Sequence, residues 1–191
     1  ARYTEMQTQK EDLDKGITDL TTVLDELKSE MQKKFDDGFN EINENFTHIF
    51  RELFGGGKGT LELMEDEDIL EAGIRSIAQP PGKKLQLLSL LSGGERALTA
   101  IAILFAMLEI RPSPFCILDE IEAALDEVNV SRYARYLKNL SDKTQFIAIT
   151  HRRGTMEEAD ILYGVTMQEK GVSRLLELDI TQLESRLGMK A

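Results

Sequence analysis

The sequence predicts an α/β fold preceded by one long helix. Three observations predict it. The first quarter carries apolar residues at heptad spacing. Two continuous apolar runs, 115–118 and 146–149, are separated by a helical stretch, the pattern of parallel strands joined by a crossover helix. All 4 prolines fall in two places, Pro80-Pro81 and Pro112 with Pro114, so nothing interrupts the first 79 residues. A chain of 191 residues is one domain, or a domain with an appendage. At 41% apolar and 30% charged, it has the material for a packed core rather than a disordered chain.

The leading helix is expected over residues 1–53. Leu13, Ile17, Leu20, Leu24, Leu27 and Met31 alternate steps of four and three, which makes a coiled-coil seam. The steps from Leu27 through Met31 and Phe35 to Phe39 are all four, a stutter that unwinds a supercoil locally, and Gly38 weakens the helix inside it. Phe35, Phe39, Ile42, Phe46, Ile49 and Leu53 continue the seam. Phenylalanines are bulky for a two-helix seam, so this end is expected to approach a globular body. Such a helix spans roughly 75 Å. Its seam needs a partner helix, and the remaining sequence offers no second sustained heptad run.

The run Gly55-Gly56-Gly57-Lys58-Gly59-Thr60 superficially resembles a phosphate-binding P-loop but fails on spacing. That motif needs Gly six residues before the Lys and Ser or Thr directly after it, and here Glu52 and Gly59 occupy those places. The run also follows a helix rather than a strand, so it reads as a turn. Strands are expected at 60–64, 74–78 and 85–88, the last two separated by Gln79-Pro80-Pro81-Gly82, an antiparallel layer. From Ser92 the period changes. Ala97, Ala100, Ile101, Leu104, Phe105 and Leu108 predict a buried helix ending before Pro112. The run 115–118, closed by Asp119-Glu120, is expected to be a strand buried on both faces, and 146–149 a second. A helix at 127–140 lies between them. Strands at 161–167 and 172–178, around Gly171, follow.

Composition excludes several classes. Lys and Arg total 23 against 34 Asp and Glu, for a net charge of −11. A uniformly basic nucleic-acid binder is thereby excluded, though a local basic patch is not. Residues 1–53 hold 13 acids and 7 bases, so 6 of the 11 negative units sit on the leading helix. One cysteine excludes a disulfide framework and a multi-cysteine metal site, and fits a reducing compartment. The longest apolar stretch, near 100–108, is far short of a membrane span, and no signal peptide shows. The expectation is a soluble, cytoplasmic protein with no membrane association.

Three segments carry candidate chemistry. Leu91-Ser92-Gly93-Gly94-Glu95-Arg96 puts two glycines and a hydroxyl at a helix start, where exposed N–H groups can bind phosphate oxygens; a plain N-cap with a glycine turn explains it equally. Asp119 and Glu120 stand at the C-terminal end of a strand, where α/β sheets bind ligands. An acid there can hold Mg²⁺ through water while its neighbour orients an attacking water, or both can be acids at an exposed strand end. His151, in Thr150-His151-Arg152-Arg153, lies past the second strand at the same sheet edge. It can bond a phosphate or the attacking water, or be structural.

The order of these pieces resembles the ABC-type ATPases, and more narrowly the C-terminal half of a bacterial SMC (structural maintenance of chromosomes) head. Leu91 to Arg96 matches the ABC signature, Phe115 to Glu120 the Walker B motif, Ala124-Leu125-Asp126 the D-loop and Thr150-His151-Arg152 the switch-histidine region. Ile121-Glu122-Ala123-Ala124 replaces the proline that ABC transporters carry after the catalytic Glu. Gln79 to Lys84 and Gly154-Thr155-Met156-Glu157 also follow the SMC pattern. The motifs cover about residues 70–180.

The resemblance implies an ABC-ATPase head half at 54–191, a C-terminal lobe with parallel core strands and an antiparallel edge, behind a coiled-coil neck at 1–53. It implies Glu120 as the catalytic base, His151 at the γ-phosphate, Asp119 at Mg²⁺, and Ser92, Gly93 and Gly94 on ATP held by a second head in an ATP-sandwiched homodimer. Asp126 would organise the contact between heads. The N-terminal half, with its Walker A motif, would complete the sheet, and its arm helix would pair with residues 1–53. A kleisin subunit would bridge two heads, and DNA would lie above the joined heads of the full, nucleoid-associated complex. The paired lysines Lys33-Lys34 and Lys83-Lys84 are candidate DNA contacts or solvated charges. Without Walker A the chain alone is expected to be inactive. Two alternatives share these motifs: a coiled-coil ATPase of double-strand-break repair, and a non-catalytic kleisin-binding fragment.

Overall fold

The structure, a computed structural model, describes residues 2–64 and 70–179. Within the expected 54–191 unit, residues 65–69 and 180–191 lie outside the described residues. Helix α1 runs unbroken over Arg2–Phe54. Gly38 does not interrupt it, because one glycine costs only about 1 kcal/mol of helix propensity. Its seam residues differ sharply along its length. Leu13, Ile17, Leu20, Leu24 and Leu27 are all more than half exposed, whereas Phe46, Ile49, Phe50 and Leu53 are fully buried.

The glycine run is a turn: Gly55, Gly56 and Gly57 have φ of 68°, 138° and 81°. At Gly57 a Cβ would lie 2.2 Å from the Gln79 carbonyl oxygen, so no other residue fits. Strands β1 (Lys58–Leu63), β2 (Ile74–Gln79) and β3 (Gln86–Leu87) form an antiparallel sheet in that order. The third strand is shorter than expected, because Leu88–Leu90 turns into a 3-10 helix. Helix α1 holds the outer strand by side chains. Asn43 Oδ1 accepts from the Leu61 amide at 2.7 Å, and Thr47 Oγ1 donates to the Gly59 carbonyl at 2.8 Å.

Helix α2 (Gly93–Ile110) packs on α1 through Leu98, Ile101, Ala102 and Phe105. Strand β4 (Phe115–Asp119), helix α3 (Glu127–Leu140) and strand β5 (Gln145–Ile149) follow, with β4 and β5 parallel. Phe105 stacks on Tyr133 and Tyr136, with centroids 6.0 and 5.4 Å apart. Arg132 of α3 donates from Nη1 to the Phe54 carbonyl at 2.8 Å, closing the C-terminal end of α1. A short helix α4 (Arg153–Glu157), which the periodicity did not signal, precedes the hairpin of β6 (Ile161–Glu169) and β7 (Val172–Asp179).

One expectation is corrected. The strands at 115–118 and 146–149 are not buried on both faces. Leu118 joins the core, with Cys116 and Phe146 half-buried against it. On the other face Phe115, Ile117, Ile147 and Ile149 are 57%, 58%, 47% and 53% exposed. The cause is topological: the parallel sheet has two strands and packs on helices from one side, so among the described residues nothing covers its second apolar face. Among the described residues, no helix is long and apolar enough to cross a membrane.

Candidate functional site

The parallel pairing sets the site. Asp119 pairs with Ile149, so the residues after both strands leave the sheet at one edge. Glu120 turns there with φ of 48°, the one non-glycine residue with positive φ among those described. Its amide donates to the Ile149 carbonyl at 3.0 Å, and its own carbonyl accepts from the Ala123 amide at 3.0 Å. These bonds hold a glutamate in a left-handed conformation that costs about 1–2 kcal/mol. The turned backbone places Glu120 Oε1 3.3 Å from His151 Nδ1, with both side chains more than half exposed. The two groups are thus a solvent-open pair at a strand end, with the reach and chemistry of a general base and a proton or phosphate partner.

Asp119 stands beside them. Among the described residues its carboxylate has no hydrogen-bond or ion-pair partner, and no group of three or more His, Cys, Asp or Glu could hold a metal ion alone. A single open carboxylate fits Mg²⁺, which keeps most of its waters and takes further ligands from phosphates.

Ser92 and Asp126 are both helix caps. Ser92 Oγ accepts from the Glu95 amide and donates to Glu95 Oε2 at 2.7 Å, and Glu95 Oε2 accepts from the Ser92 amide at 3.1 Å, a capping box. Lys83 Nζ is 2.9 Å from Glu95 Oε1. The Lys83 hydrogen bond lowers the Glu95 pKa most; burial opposes it, and the bonds from Ser92 lower the pKa further. The plain-cap reading of Ser92 therefore describes its bonds within this chain. Asp126 caps α3, accepting from the Asn129 amide at 2.9 Å. Gly94 lies against the segment between Glu120 and Asp126: a Cβ there would be 2.9 Å from the Ala124 carbonyl oxygen. Gly93 differs, since a Cβ there would meet nothing within 4 Å. The structure thus brings Glu120, His151 and Asp119 to one edge. No hydrogen bond among the described residues joins Ser92 or Asp126 to them.

A sequence profile described as the RecF/RecN/SMC N terminal domain matches residues 5–174. The chain belongs to the RecF/RecN/SMC family. The profile's description names an N-terminal domain, so membership in the family, rather than a C-terminal position, is what this match carries. The chain is 58% identical over 181 residues to the chromosome partition protein Smc of Bacillus subtilis (strain 168), covering 95% of this chain and 15% of the relative. It therefore spans about 15% of the length of that relative. A solved Smc head domain with an extended coiled coil, bound to the C-terminal domain of ScpA and derived from Pyrococcus furiosus, superposes with a TM-score of 0.85. Identity is 37%, and the match covers 98% of this chain and 47% of that one. A structure from a study of ATP-driven dimerisation and DNA-stimulated activation of SMC ATPases superposes with a TM-score of 0.70 at 36% identity, covering 83% of this chain and 98% of the other.

The sequence reading of this SMC-family chain missed Glu122. It is 2% exposed, beside Ile121, Ala123 and Ala124 in a segment where its neighbours Asp119 and Glu120 are open to solvent. Small and apolar flanking residues are the only signal that could have found it.

Proposed function

We propose that this chain is the C-terminal half of an SMC ATPase head with the start of its arm. The observation that carries the proposal is the Glu120–His151 pair, held by a strained backbone at the end of a parallel strand beside the open Asp119. The order of motifs supports the half: a long helix precedes the glycine signature and the acid pair, and no G-x-x-x-x-G-K-[ST] run occurs in the sequence. The bare apolar face of β4 and β5 supports it too, since a completing half would cover Phe115, Ile117, Ile147 and Ile149. A solved SMC ATPase chain is matched over 98% of its own length by 83% of this chain, which supports reading this region as one structural unit. We divide the chain into a neck at 1–53 and a head half at 54–191, the last two turns of α1 being shared between them.

In this reading Asp119 would hold Mg²⁺ beside ATP, and the ion would supply charge neutralisation for the phosphates. Glu120 takes a proton from water, and His151 supports Glu120 and faces the γ-phosphate. Ser92, Gly93 and Gly94 face the ATP of a second head, so that two heads sandwich nucleotide. Gly93 fits this role because no described residue lies where its side chain would be. Asp126 lies at the contact between heads. The partners are the N-terminal half with its Walker A motif, a second head, a kleisin and, through the complex, DNA. The setting is the cytoplasmic nucleoid, and the task is chromosome condensation and segregation.

The test is reconstitution with the companion P-loop polypeptide. ATP-dependent pairing and hydrolysis are expected together. Glu120→Gln should keep nucleotide and trap the paired state, and Ser92→Arg should block pairing. Glu120-dependent turnover by this chain alone, or pairing that never leads to hydrolysis, would overturn the proposal.

A further inference from the structure

Glu122 is a buried carboxylate that the reading above leaves unused. At 2% exposure it is enclosed beneath the loop that follows Glu120. Its Oε1 accepts two hydroxyls, from Thr150 and from Thr155, the latter at 3.0 Å. Thr150 precedes His151 directly, and Thr155 lies in α4 just beyond it. Thr150 Oγ1 in turn accepts from the Arg152 amide at 3.0 Å. Arg152 donates from its guanidinium to the Leu125 carbonyl, one residue before Asp126. One chain of bonds therefore runs from Glu122 through Thr150 to Arg152 and back to Leu125, enclosing His151 on both sides. The Tyr133 hydroxyl is buried with no hydrogen-bond partner among the described residues, and its pKa is raised by burial first and by the Glu122 charge second.

Solvent makes this arrangement informative. The Glu120–His151 contact is open to water and is worth little by itself. Two exposed side chains do not hold a 3.3 Å relation unless their backbones are fixed. The Glu120 backbone is fixed by its bonds to Ile149 and Ala123. Among the described residues the His151 backbone has no such direct tie, and the Glu122 bonds supply it. A buried carboxylate costs several kcal/mol to desolvate, so a hydrophobic residue would fill a purely structural role more cheaply.

We infer that Glu122 is a positioning residue: by binding Thr150 and Thr155 it locks the loop that carries His151 against the loop that carries Glu120. The inference rests on the hydrolytic reading above for its catalytic consequence, but the loop-locking it describes is separately measurable.

The experiment uses the chain assembled with its P-loop companion and compares Glu122→Leu, Glu122→Gln and Thr155→Val. Gln keeps an oxygen that can accept both hydroxyls, whereas Leu fills the space without one. Turnover is read as kcat and KM, folding by thermal melting, and loop order by hydrogen exchange at the Arg152 amide. Glu122→Leu should lower kcat tenfold or more with KM changed less than twofold, and speed Arg152 exchange at least tenfold. Glu122→Gln should stay within threefold of the parent on both readings. Thr155→Val, which removes one of the two bonds, should lower kcat about threefold and speed the same exchange.

The inference is overturned if Glu122→Leu keeps kcat within twofold, or if Gln and Leu lose equally. If Glu122→Leu does not fold, Thr155→Val is read in its place, and unchanged kcat with unchanged Arg152 exchange overturns the inference. If the parent assembly never hydrolyses ATP, the functional reading fails by itself. The exchange readings then decide whether Glu122 locks the loop, protection unaltered in the variants counting against it.

Discussion

Two neighbouring glycines offer a test with its own control. Gly93 and Gly94 begin the same helix, and each loses backbone entropy relative to alanine of about 0.5–1 kcal/mol in a helix interior, less at its start. A Cβ at Gly93 meets nothing within 4 Å, so Gly93→Ala should stabilise the chain by up to about 0.5 kcal/mol. A Cβ at Gly94 would lie 2.9 Å from the Ala124 carbonyl oxygen, and that obstacle is backbone, not a side chain that can swing aside. Forcing it apart costs about 1–3 kcal/mol, which exceeds the entropy gain, so Gly94→Ala should destabilise by about 0.5–2 kcal/mol. Thermal unfolding measures both. At roughly 2–4 °C per kcal/mol for a chain of this size, the two midpoints should separate by several degrees with opposite signs. If both variants shift in the same direction by the same amount, the close approach of α2 to the Glu120–Asp126 segment is not real.

Other outcomes follow from the same geometry. Asparagine tolerates the left-handed region, so Glu120→Asn should raise stability by about 0.5–1 kcal/mol in denaturant titration while removing the carboxylate proposed as the base. Arg132→Ala removes the charged donor to the Phe54 carbonyl and should cost about 1.5–3 kcal/mol by the same titration. The Glu95 pKa is depressed in the folded chain, first by the Lys83 hydrogen bond, so its contribution is present above the unfolded value near 4.5 and is lost as pH falls through the folded one. The stability difference between the parent and Lys83→Met should therefore shrink as pH is lowered from about 5 through that window; a difference that grows would reverse the sign of the argument.

Much of this was legible because it is periodic. The seam from Leu13 to Leu53 gave the helix, and apolar runs closed by Asp119-Glu120 and by Thr150-His151 gave the two parallel strands. Turn residues were legible where φ demanded them, at Gly55 to Gly57 and Gly171. Burial was not legible to the same degree. A continuous apolar run states what a strand could bury, not which neighbours it has, so Ile117 and Ile147 were expected inside and stand outside. Glu122 was illegible for the opposite reason: its burial depends on two hydroxyls some thirty residues away in sequence. The Asn43 and Thr47 bonds to β1 belong to the same class, polar side chains whose partners only tertiary packing supplies.

The end of the long helix has a mechanical consequence that the seam pattern did not announce. Phe46, Ile49, Phe50 and Leu53 are fully buried in one core with Leu98, Phe105 and Tyr133. Helix α1 therefore packs directly on α2 and α3, and Arg132 ties its last carbonyl to α3. Those two helices begin at the caps Ser92 and Asp126, which we propose contact a second head. Close-packed interiors do not deform continuously, so a tilt of α1 about its buried end must move both helices or repack the aromatic core between them. Upstream of Phe35 no described residue resists such a tilt, because the seam there is exposed. Whatever helix covers that seam thus acts, through the last two turns of α1 and their buried phenylalanine, isoleucine and leucine, on the position of both caps at once.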